Sequence, residues 1–168
     1  MAVIVDKYSL ALQEHLTSPT STQKYPLGTE VVVTDTSTYA RKRYKYVKAA
    51  QSGLTAYVPY QIGLAQTTGA EWVTRAAIPN KNSLVGVPSV AFTSNYYGFL
   101  QIEGKCYAVG SSGHAAGDKL MLGNGLAVLT LGTTGLDYAE SQMCAICLVT
   151  TSTATEYVNL CGYRVVCS

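Results

Sequence analysis

The stretch from Val87 to Gly125 alternates short apolar runs with polar turn residues. It reads VPSVAFT, YYGFLQIEG, KCYAVG and DKLML, separated by Ser-Asn, by glycine and by the polar connection SSGHAAG. β-Branched and aromatic runs that are broken by Gly, Asn and Ser about every eight to twelve residues are typical of antiparallel strands. The pattern therefore predicts a β meander around which the rest of the chain packs.

The segments on either side of this meander predict further strands. Before it, EVVVTD (30–35) and TYARKRYKYVKAA (38–50) flank a turn, whereas residues 49–78 are less informative. After it, Gly123-Asn124-Gly125 predicts a hairpin because these residues tolerate positive φ, and residues 144–168 supply two closing strands. The expected fold is all-β, an antiparallel β-sandwich or barrel with an N-terminal arm.

The first 24 residues differ in character from the rest of the chain. VIVDKYSLALQEHL is followed by the polar run TSPTSTQK, in which Ser18-Pro19 disfavours continuation of a helix. A short helix and an extended arm both remain open, as do docking on a neighbouring molecule and packing against the same domain. We predict an arm over residues 1–24 and a single β domain over residues 25–168.

The composition is consistent with this fold class. A length of 168 residues suffices for one domain with a hydrophobic core and an arm. Only 13% of the residues are charged, while Tyr occurs thirteen times against two Phe and one Trp. Tyr is favoured both in strands and at protein–protein contacts. The net charge of +2 is too small to indicate nucleic-acid binding through bulk electrostatics.

Basic residues are concentrated between positions 41 and 48. In an extended strand, Arg41, Arg43 and Lys45 face one way, and Lys42, Tyr44, Tyr46 and Lys48 face the other. This much charge predicts an edge or outer strand, either simply solvated or contacting an acidic partner. The candidate partner-contact residues are Tyr8, Leu10 and Leu12 of the arm and Arg41, Arg43, Tyr44, Lys45 and Tyr46 of the strand.

The five cysteines predict buried, reduced thiols rather than disulfides or a metal site. The sequence shows no signal peptide and no apolar run long enough for a membrane span. Cys144 and Cys147 have CxxC spacing, but they lie in the apolar run MCAICLV, where residues i and i+3 of a strand point to opposite faces. A second CxxC for zinc is missing. No metal and no cofactor are expected.

Candidate catalytic residues are few. The two histidines are His15 and His114, and the motifs of zinc proteases, nucleophile elbows, phosphate loops and Rossmann folds do not occur. SSGHAAGD places Ser112, His114 and Asp118 close together, but members of a triad normally converge from separate elements. Asp118 is better interpreted as a turn residue. The protein is predicted not to be an enzyme.

Several phrases, in order, resemble one protein family. They are YPLGT, RYKYVKA, VGVPSVAFTSNYYGFLQIEGKCYAV, AAGDKLML and TATEYVNLCGYRV. Together they cover about residues 24–48 and 85–168, and they resemble the small capsid decoration, or cement, proteins of tailed bacteriophages. The middle segment between Ala50 and Leu84 is shorter than in many members, and the cysteines are not part of the pattern.

The resemblance implies a non-enzymatic virion structural protein that is synthesised in the bacterial host cytoplasm. It would bind the outer capsid surface and stabilise the lattice of the major capsid protein, as a homo-oligomer such as a dimer or trimer, without direct contact to nucleic acid or membrane. The alternative is a tail, neck or receptor/glycan-binding virion component, and a groove exposing Trp72, Tyr96 and Tyr97 would favour glycan binding. A small nucleic-acid-binding barrel is a further class, because RKRYKY interleaves basic and aromatic residues.

Overall fold

The structure is a computed structural model, and it describes most of the predicted β domain. The described residues are 2–4, 14–35, 40–49, 53–64, 72–75, 84–111, 113–122, 128–131, 143–150 and 154–162. Within them lie eleven strands: β1 Ala2–Ile4, β2 Glu30–Asp35, β3 Arg41–Lys48, β4 Tyr60–Leu64, β5 Trp72–Arg75, β6 Leu84–Gly86, β7 Tyr97–Val109, β8 Lys119–Leu122, β9 Leu129–Leu131, β10 Ala145–Cys147 and β11 Thr155–Cys161. The prediction of an all-β, largely antiparallel fold is confirmed.

The long strand β7 joins the two halves of the domain. Its first part pairs with β3 and its last part pairs with β11, both antiparallel. Glu103 lies where the two pairings meet, opposite Arg43 on one side and Cys161 on the other. The strand order among the described residues is β6-β4-β5-β3-β7-β11-β10-β8-β9, and β2 lies beside β3 with β1 outside it. The segment predicted as a meander thus contains the central strand, but its described strands do not form a meander. YYGFLQIEG and KCYAVG belong to the single strand β7 instead of two strands joined by a turn, and β8 pairs with β10 and β9 rather than with β7.

The sheet curls back on itself without closing as a barrel, which gives a sandwich-like shape. Single bridges connect Val87 to Gln101, and Leu129 to Gly110, so the outer strands return to β7 at two isolated points. At these two points the contact is a single bridge and not a continuous ladder of hydrogen bonds. Of the two architectures that the sequence left open, the sandwich is therefore the one observed.

Three apolar clusters fill the space that this curling creates. The clusters are formed by Val85, Val87, Ala108, Leu120, Leu129, Cys144, Ala145, Cys147, Val158 and Leu160; by Val47, Ala49, Leu54, Ile62, Leu84, Phe92, Leu100 and Ile102; and by Leu16, Val31, Val33, Tyr46 and Phe99. Phe99 and Leu100 are neighbours on β7 that belong to different clusters, because successive side chains of a strand point to opposite faces. The strand β7 therefore organises packing on both of its faces.

The prediction that the basic strand lies at an edge of the sheet is wrong. β3 runs between β2 and β7, and Lys45 is only 4% exposed. The edge position was expected because burying a charged side chain is unfavourable, but the sequence pattern did not show that the carboxylate of Glu30 lies opposite Lys45. Glu30 pairs with Lys45 across β2 and β3, and the two side chains form an ion pair.

The described parts of the N-terminal segment pack against their own chain. Ala2–Ile4 pairs antiparallel with β2, residues 14–16 form one helical turn, and Thr20 exchanges two backbone hydrogen bonds with Tyr97. Leu16 is buried in the cluster that contains Val31. Of the two alternatives for this segment, packing on the same domain holds for these residues. Tyr8, Leu10 and Leu12 lie outside the described residues, so their predicted partner contact stays a prediction.

A glycine substitution tests the close approach of β7 to β3. Gly104 has φ of +91°, and a Cβ atom there would collide with the carbonyl oxygen of Arg41. We expect Gly104→Ala to lower the free energy of unfolding by about 2 kcal/mol or more, because it combines backbone strain with a steric clash. The measurement is the shift of the urea midpoint at an unchanged m-value.

Gly63→Ala is the matched control for this substitution. Gly63 also lies in a strand, but a Cβ atom there meets nothing within 4 Å. Alanine restricts the unfolded chain more than glycine, so this variant is expected to be equally stable or slightly more stable than the wild type. Equal effects of the two substitutions would contradict the assigned backbone conformation at Gly104.

Candidate functional site

Two of the five basic residues of β3, Arg43 and Lys45, form ion pairs within the chain. Arg43 Nη2 lies 3.1 Å from Glu103 Oε2 and donates to the carbonyl oxygen of Gly162 at 3.1 Å. Lys45 Nζ lies 2.7 Å from Glu30 Oε1. The side chain of Arg41 is exposed. The members of the predicted contact set that the structure describes therefore lie on one strand, but only part of their positive charge faces solvent.

The two tyrosines of β3 in the predicted contact set pack inward. Tyr46 is buried, and its ring lies against those of Tyr25 and Phe99, with centroid distances of 5.3 and 4.9 Å. Its hydroxyl oxygen accepts a hydrogen bond from the backbone nitrogen of Lys24 at 3.0 Å. Burial raises the pKa of Tyr44 to about 12. These contacts make both tyrosines part of the domain interior and leave little of Tyr46 for a partner.

A different set of tyrosines lies at the surface, in which Tyr57 and Tyr107 are exposed and Tyr157 is half-buried. Tyr107 on β7 and Tyr157 on β11 are direct cross-strand partners whose ring centroids lie 5.1 Å apart. The rings of Tyr57 and Tyr107 have a T-shaped arrangement, with their centroids 6.4 Å apart. Tyr107 and Tyr57 are 56% and 42% exposed. We call Tyr57, Tyr107 and Tyr157 the tyrosine face.

The loop that carries Tyr57 is fixed by its backbone. Tyr57 has φ of 64°, a left-handed conformation that is unusual for a bulky residue. Its nitrogen donates to the carbonyl oxygen of Pro88, and its own carbonyl oxygen accepts from the nitrogen of Val109, both at 2.8 Å. Such strain costs on the order of 1–3 kcal/mol and persists only where the surroundings enforce it. The two hydrogen bonds hold the Tyr57 ring beside Tyr107.

A cleft of about 310 Å³ opens beside the tyrosine face. Tyr57 and Tyr107 line this cleft together with Lys42, Gln101 and Cys106. Apolar surface with a few polar groups is the usual composition of a small-ligand site. The amide nitrogen of Gln101 is already engaged, since it donates to the carbonyl oxygens of Glu103 and Lys105 at 3.1 Å each.

A second site joins three side chains from different parts of the chain. His114 Nδ1 lies 2.7 Å from both carboxylate oxygens of Glu156, and His114 Nε2 lies 3.3 Å from Ser111 Oγ. Glu156 is fully buried and His114 is 4% exposed, whereas Ser111 is exposed. A hydroxyl, an imidazole and a carboxylate in this order form a nucleophile–base–orienter array.

The structure confirms one part of the sequence interpretation of this loop and adds a contact of His114 that the sequence did not identify. Asp118 does serve as a turn residue, because its Oδ2 accepts a hydrogen bond from the nitrogen of Ala115 at 2.7 Å. The carboxylate that His114 contacts is Glu156, which is 42 positions away. Ser112 lies outside the described residues. A signal for Glu156 existed in TEYVNLC, where it occupies the same alternating phase as the buried Val158 and Leu160.

The cysteines in the described part of the chain are free thiols. Cys144 and Cys147 are buried, as expected for small hydrophobic side chains. Strand alternation predicted that they point to opposite faces, but both belong to the same apolar cluster. Burial raises the pKa of Cys144 to about 12, and it does the same for Cys106, where nearby Lys42 opposes the shift only in part. The described residues contain no group of His, Cys, Asp and Glu suited to a metal ion, and none of their helices is long and apolar enough to cross a membrane.

No family model matches this chain, and no curated protein or solved structure is significantly similar to it. The assignment of a function therefore depends on the geometry described above and on the resemblance noted in the sequence.

The raised thiol pKa values predict slow alkylation. A thiol with a pKa of about 12 has about a thousandfold less thiolate at pH 8 than one with a pKa of 9.0. We expect Cys106 and Cys144 to react with iodoacetamide at pH 8 at least about 100-fold more slowly in the folded protein than in urea. Peptide mass spectrometry reads out each position.

Cys161 is the internal control in the same experiment. It is partly exposed and its pKa is raised mainly by burial. It should react faster than Cys106 and Cys144 in the folded state, and all of them should react alike in urea. Alkylation of Cys144 at the same rate with and without urea would contradict its buried position.

Proposed function

We propose that this chain is a virion structural protein of the decoration type. In this role it binds the outer surface of a tailed-phage capsid and stabilises the lattice of the major capsid protein. Two features support this function: the resemblance of the five sequence segments to decoration proteins, and the all-β fold. The structural observation that carries the proposal is the tyrosine face at the surface. In this role, the main contact surface is formed by Tyr57, Tyr107 and Tyr157 rather than by the basic strand β3.

The tyrosine face has the properties of a protein-binding surface. Tyr buries a large ring with only two rotatable side-chain bonds and keeps a hydroxyl for hydrogen bonding, which is why it is frequent among residues that dominate binding energy. The position of Tyr57 is fixed by two backbone hydrogen bonds, and Tyr107 is anchored on the central strand. A surface ordered before binding loses less entropy when the partner docks.

The proposed mechanism is thermodynamic linkage. A protein that binds the assembled shell and not the free subunit shifts the equilibrium towards the shell. Copies that contact more than one capsid subunit add avidity, since the second contact is intramolecular once the first has formed. Self-association as a dimer or trimer at a symmetry axis would strengthen this effect.

One observation favours a second candidate, a glycan-binding virion appendage. The tyrosine face lies beside a cleft that includes Lys42 and Gln101. Aromatic faces next to polar groups suit a small polar ligand as well as a protein. In the groove predicted from Trp72, Tyr96 and Tyr97, the Tyr97 ring is already engaged within the chain, since it stacks on Tyr46 at a centroid distance of 6.5 Å and Lys48 Nζ lies 5.7 Å from its centroid.

A co-sedimentation experiment tests the decoration function. Purified protein is mixed with expanded phage shells that lack it, with unexpanded shells in parallel, and the bound shells are then heated. We expect saturable binding at a fixed ratio to the major capsid protein and a higher shell melting temperature. Binding to neither shell, together with binding to a glycan array, would replace this proposal with the glycan-binding one.

Substitution of Tyr107 tests the assigned surface in the same assay. Tyr107→Ala should weaken shell binding about tenfold or more, as expected for the loss of a central aromatic contact worth about 1.4 kcal/mol or more. The matched control is Leu131→Ala, since Leu131 is 50% exposed and lies on β9, away from the tyrosine face. If Arg41→Glu abolished binding while Tyr107→Ala did not, the originally predicted basic surface would be the contact.

A further inference from the structure

We propose that Ser111, His114 and Glu156 form an acyl-transfer site that hydrolyses carboxylic esters with small acyl groups. This activity goes beyond the binding function proposed above and departs from the non-enzymatic role predicted from the sequence. It does not depend on the tyrosine face. Its basis is the order in which a nucleophile, a base and an orienting carboxylate are hydrogen-bonded.

Glu156 determines which nitrogen of His114 carries the proton. Its carboxylate is fully buried and lies 2.7 Å from Nδ1 through both oxygens. An ionised carboxylate only accepts hydrogen bonds, so Nδ1 must be the donor. The lone pair of neutral His114 is then on Nε2, and Nε2 lies 3.3 Å from Ser111 Oγ. This is the arrangement that a general base needs to take a proton from a hydroxyl.

The scaffold holds the serine backbone next to the buried carboxylate. The nitrogen of Gly110 donates to the carbonyl oxygen of Ala154, and the nitrogen of Ser111 donates to that of Leu129, both at 2.8 Å. A Cβ atom at Gly110 would lie 2.6 Å from the carboxyl carbon of Glu156, so glycine is required there. The end of β7, the loop before β8 and the strand β11 thus converge on the site, as in catalytic triads of unrelated folds.

The exposure gradient along the three residues gives the site access to substrate. Ser111 is exposed, His114 is nearly buried and Glu156 is fully buried. A buried His–Glu pair that only stabilises the fold does not require a hydrogen bond to the hydroxyl of an exposed serine. Here the hydrogen-bonded series begins at an oxygen that an ester can reach and ends at a carboxylate shielded from water.

The reaction is balanced by the residues present and by water. Ser111 Oγ attacks the ester carbon while its proton passes to His114 Nε2, and the buried carboxylate stabilises the resulting imidazolium. His114 then gives the proton to the leaving oxygen as the ester C–O bond breaks, which releases the alcohol and leaves an acyl-serine. Water, deprotonated by Nε2, attacks this acyl group and releases the carboxylic acid, and the proton returns to Ser111. Glu156 contacts no reacting atom and is a positioning residue.

The neighbouring residues set the substrate class. Gly113, Ala115 and Ala116 next to the site are exposed and small, and they carry no charge. These small, uncharged side chains leave room for an ester at the serine, and a small, neutral acyl group such as acetyl suits them best.

The first test uses the full chain with p-nitrophenyl acetate and with a fluorophosphonate, which forms a stable adduct with activated serines. We expect ester turnover and a single phosphonate adduct that peptide mass spectrometry places on Ser111. Ser111→Ala should remove both signals, and Ser21→Ala should change neither, since Ser21 is also exposed but does not belong to the array. The absence of an adduct on Ser111 in the folded protein would overturn the proposal.

A second variant separates positioning from folding. Glu156→Gln keeps the side-chain size, but its amide can donate to Nδ1, which then favours the tautomer with the proton on Nε2. We expect the phosphonylation rate of Ser111 to fall about 100-fold or more and its dependence on pH to change, because that tautomer cannot accept the serine proton. Circular dichroism and the melting temperature report whether the variant is folded.

The outcomes distinguish this proposal from the capsid-binding one. An unchanged phosphonylation rate and pH profile in folded Glu156→Gln would show that the His–Glu pair is architectural and overturn the proposal. Shell binding by Ser111→Ala at the wild-type level, together with lost ester turnover, would support two independent functions. Ester turnover that persists in Ser111→Ala would assign the activity to another residue and also overturn the proposal.

Discussion

A strand that has different neighbours along its two halves constrains this whole domain. β7 is thirteen residues long, pairs with β3 from Tyr97 onwards and with β11 up to Val109, and exchanges one partner for the other at Glu103. Any shift of its register by one residue would turn both faces of the strand over and bring polar groups into the apolar clusters. The irregular register opposite Arg43 and the positive φ of Gly104 lie at this same point, where the chain adapts to both pairings.

Within the described part of the chain, the buried ionisable side chains of Lys45, His114 and Glu156 have partners from other elements of the fold. Lys45 has Glu30 on the neighbouring strand, and the fully buried Glu156 has His114 in a loop. Removing one member of such a pair leaves an uncompensated charge, which commonly costs about 3–5 kcal/mol, whereas the intact pair contributes little net stability. We therefore expect these pairs to contribute mainly to specificity, by favouring the strand and loop neighbours seen in this fold.

The two candidate surfaces use the same strands in different ways. The tyrosine face occupies the outward positions of β7 and β11, where Tyr107 and Tyr157 are cross-strand partners. The Ser–His–Glu array uses the inward Glu156 and the residues that follow the end of β7. Because alternate residues of β11 point to opposite sides, binding on one side and chemistry on the other can coexist in one small domain.

Much of the fold was present in the local sequence. The apolar and aromatic runs in YYGFLQIEGKCYAV and the turn residues around them predicted antiparallel strands at the centre of the fold, because side-chain period and turn chemistry act over a few residues. The turn predicted at Gly104 does not form, and the segment is one continuous strand. The burial of Cys144 and Cys147 followed from the apolar run that contains them. The local charge pattern of residues 41–48 wrongly predicted an edge strand, because it does not show that Glu30 lies opposite Lys45.

The sequence by itself determined the fold class, the location of the central strand and the inward phase of Glu156, because these depend on the order of apolar and polar residues. Tertiary structure alone decided which residues meet: Tyr57 with Tyr107, Lys45 with Glu30, and His114 with Glu156 rather than with Asp118. The physical reason is that each of these contacts depends on strand order and register, which bring together residues far apart in the chain. No local periodicity specifies such pairings.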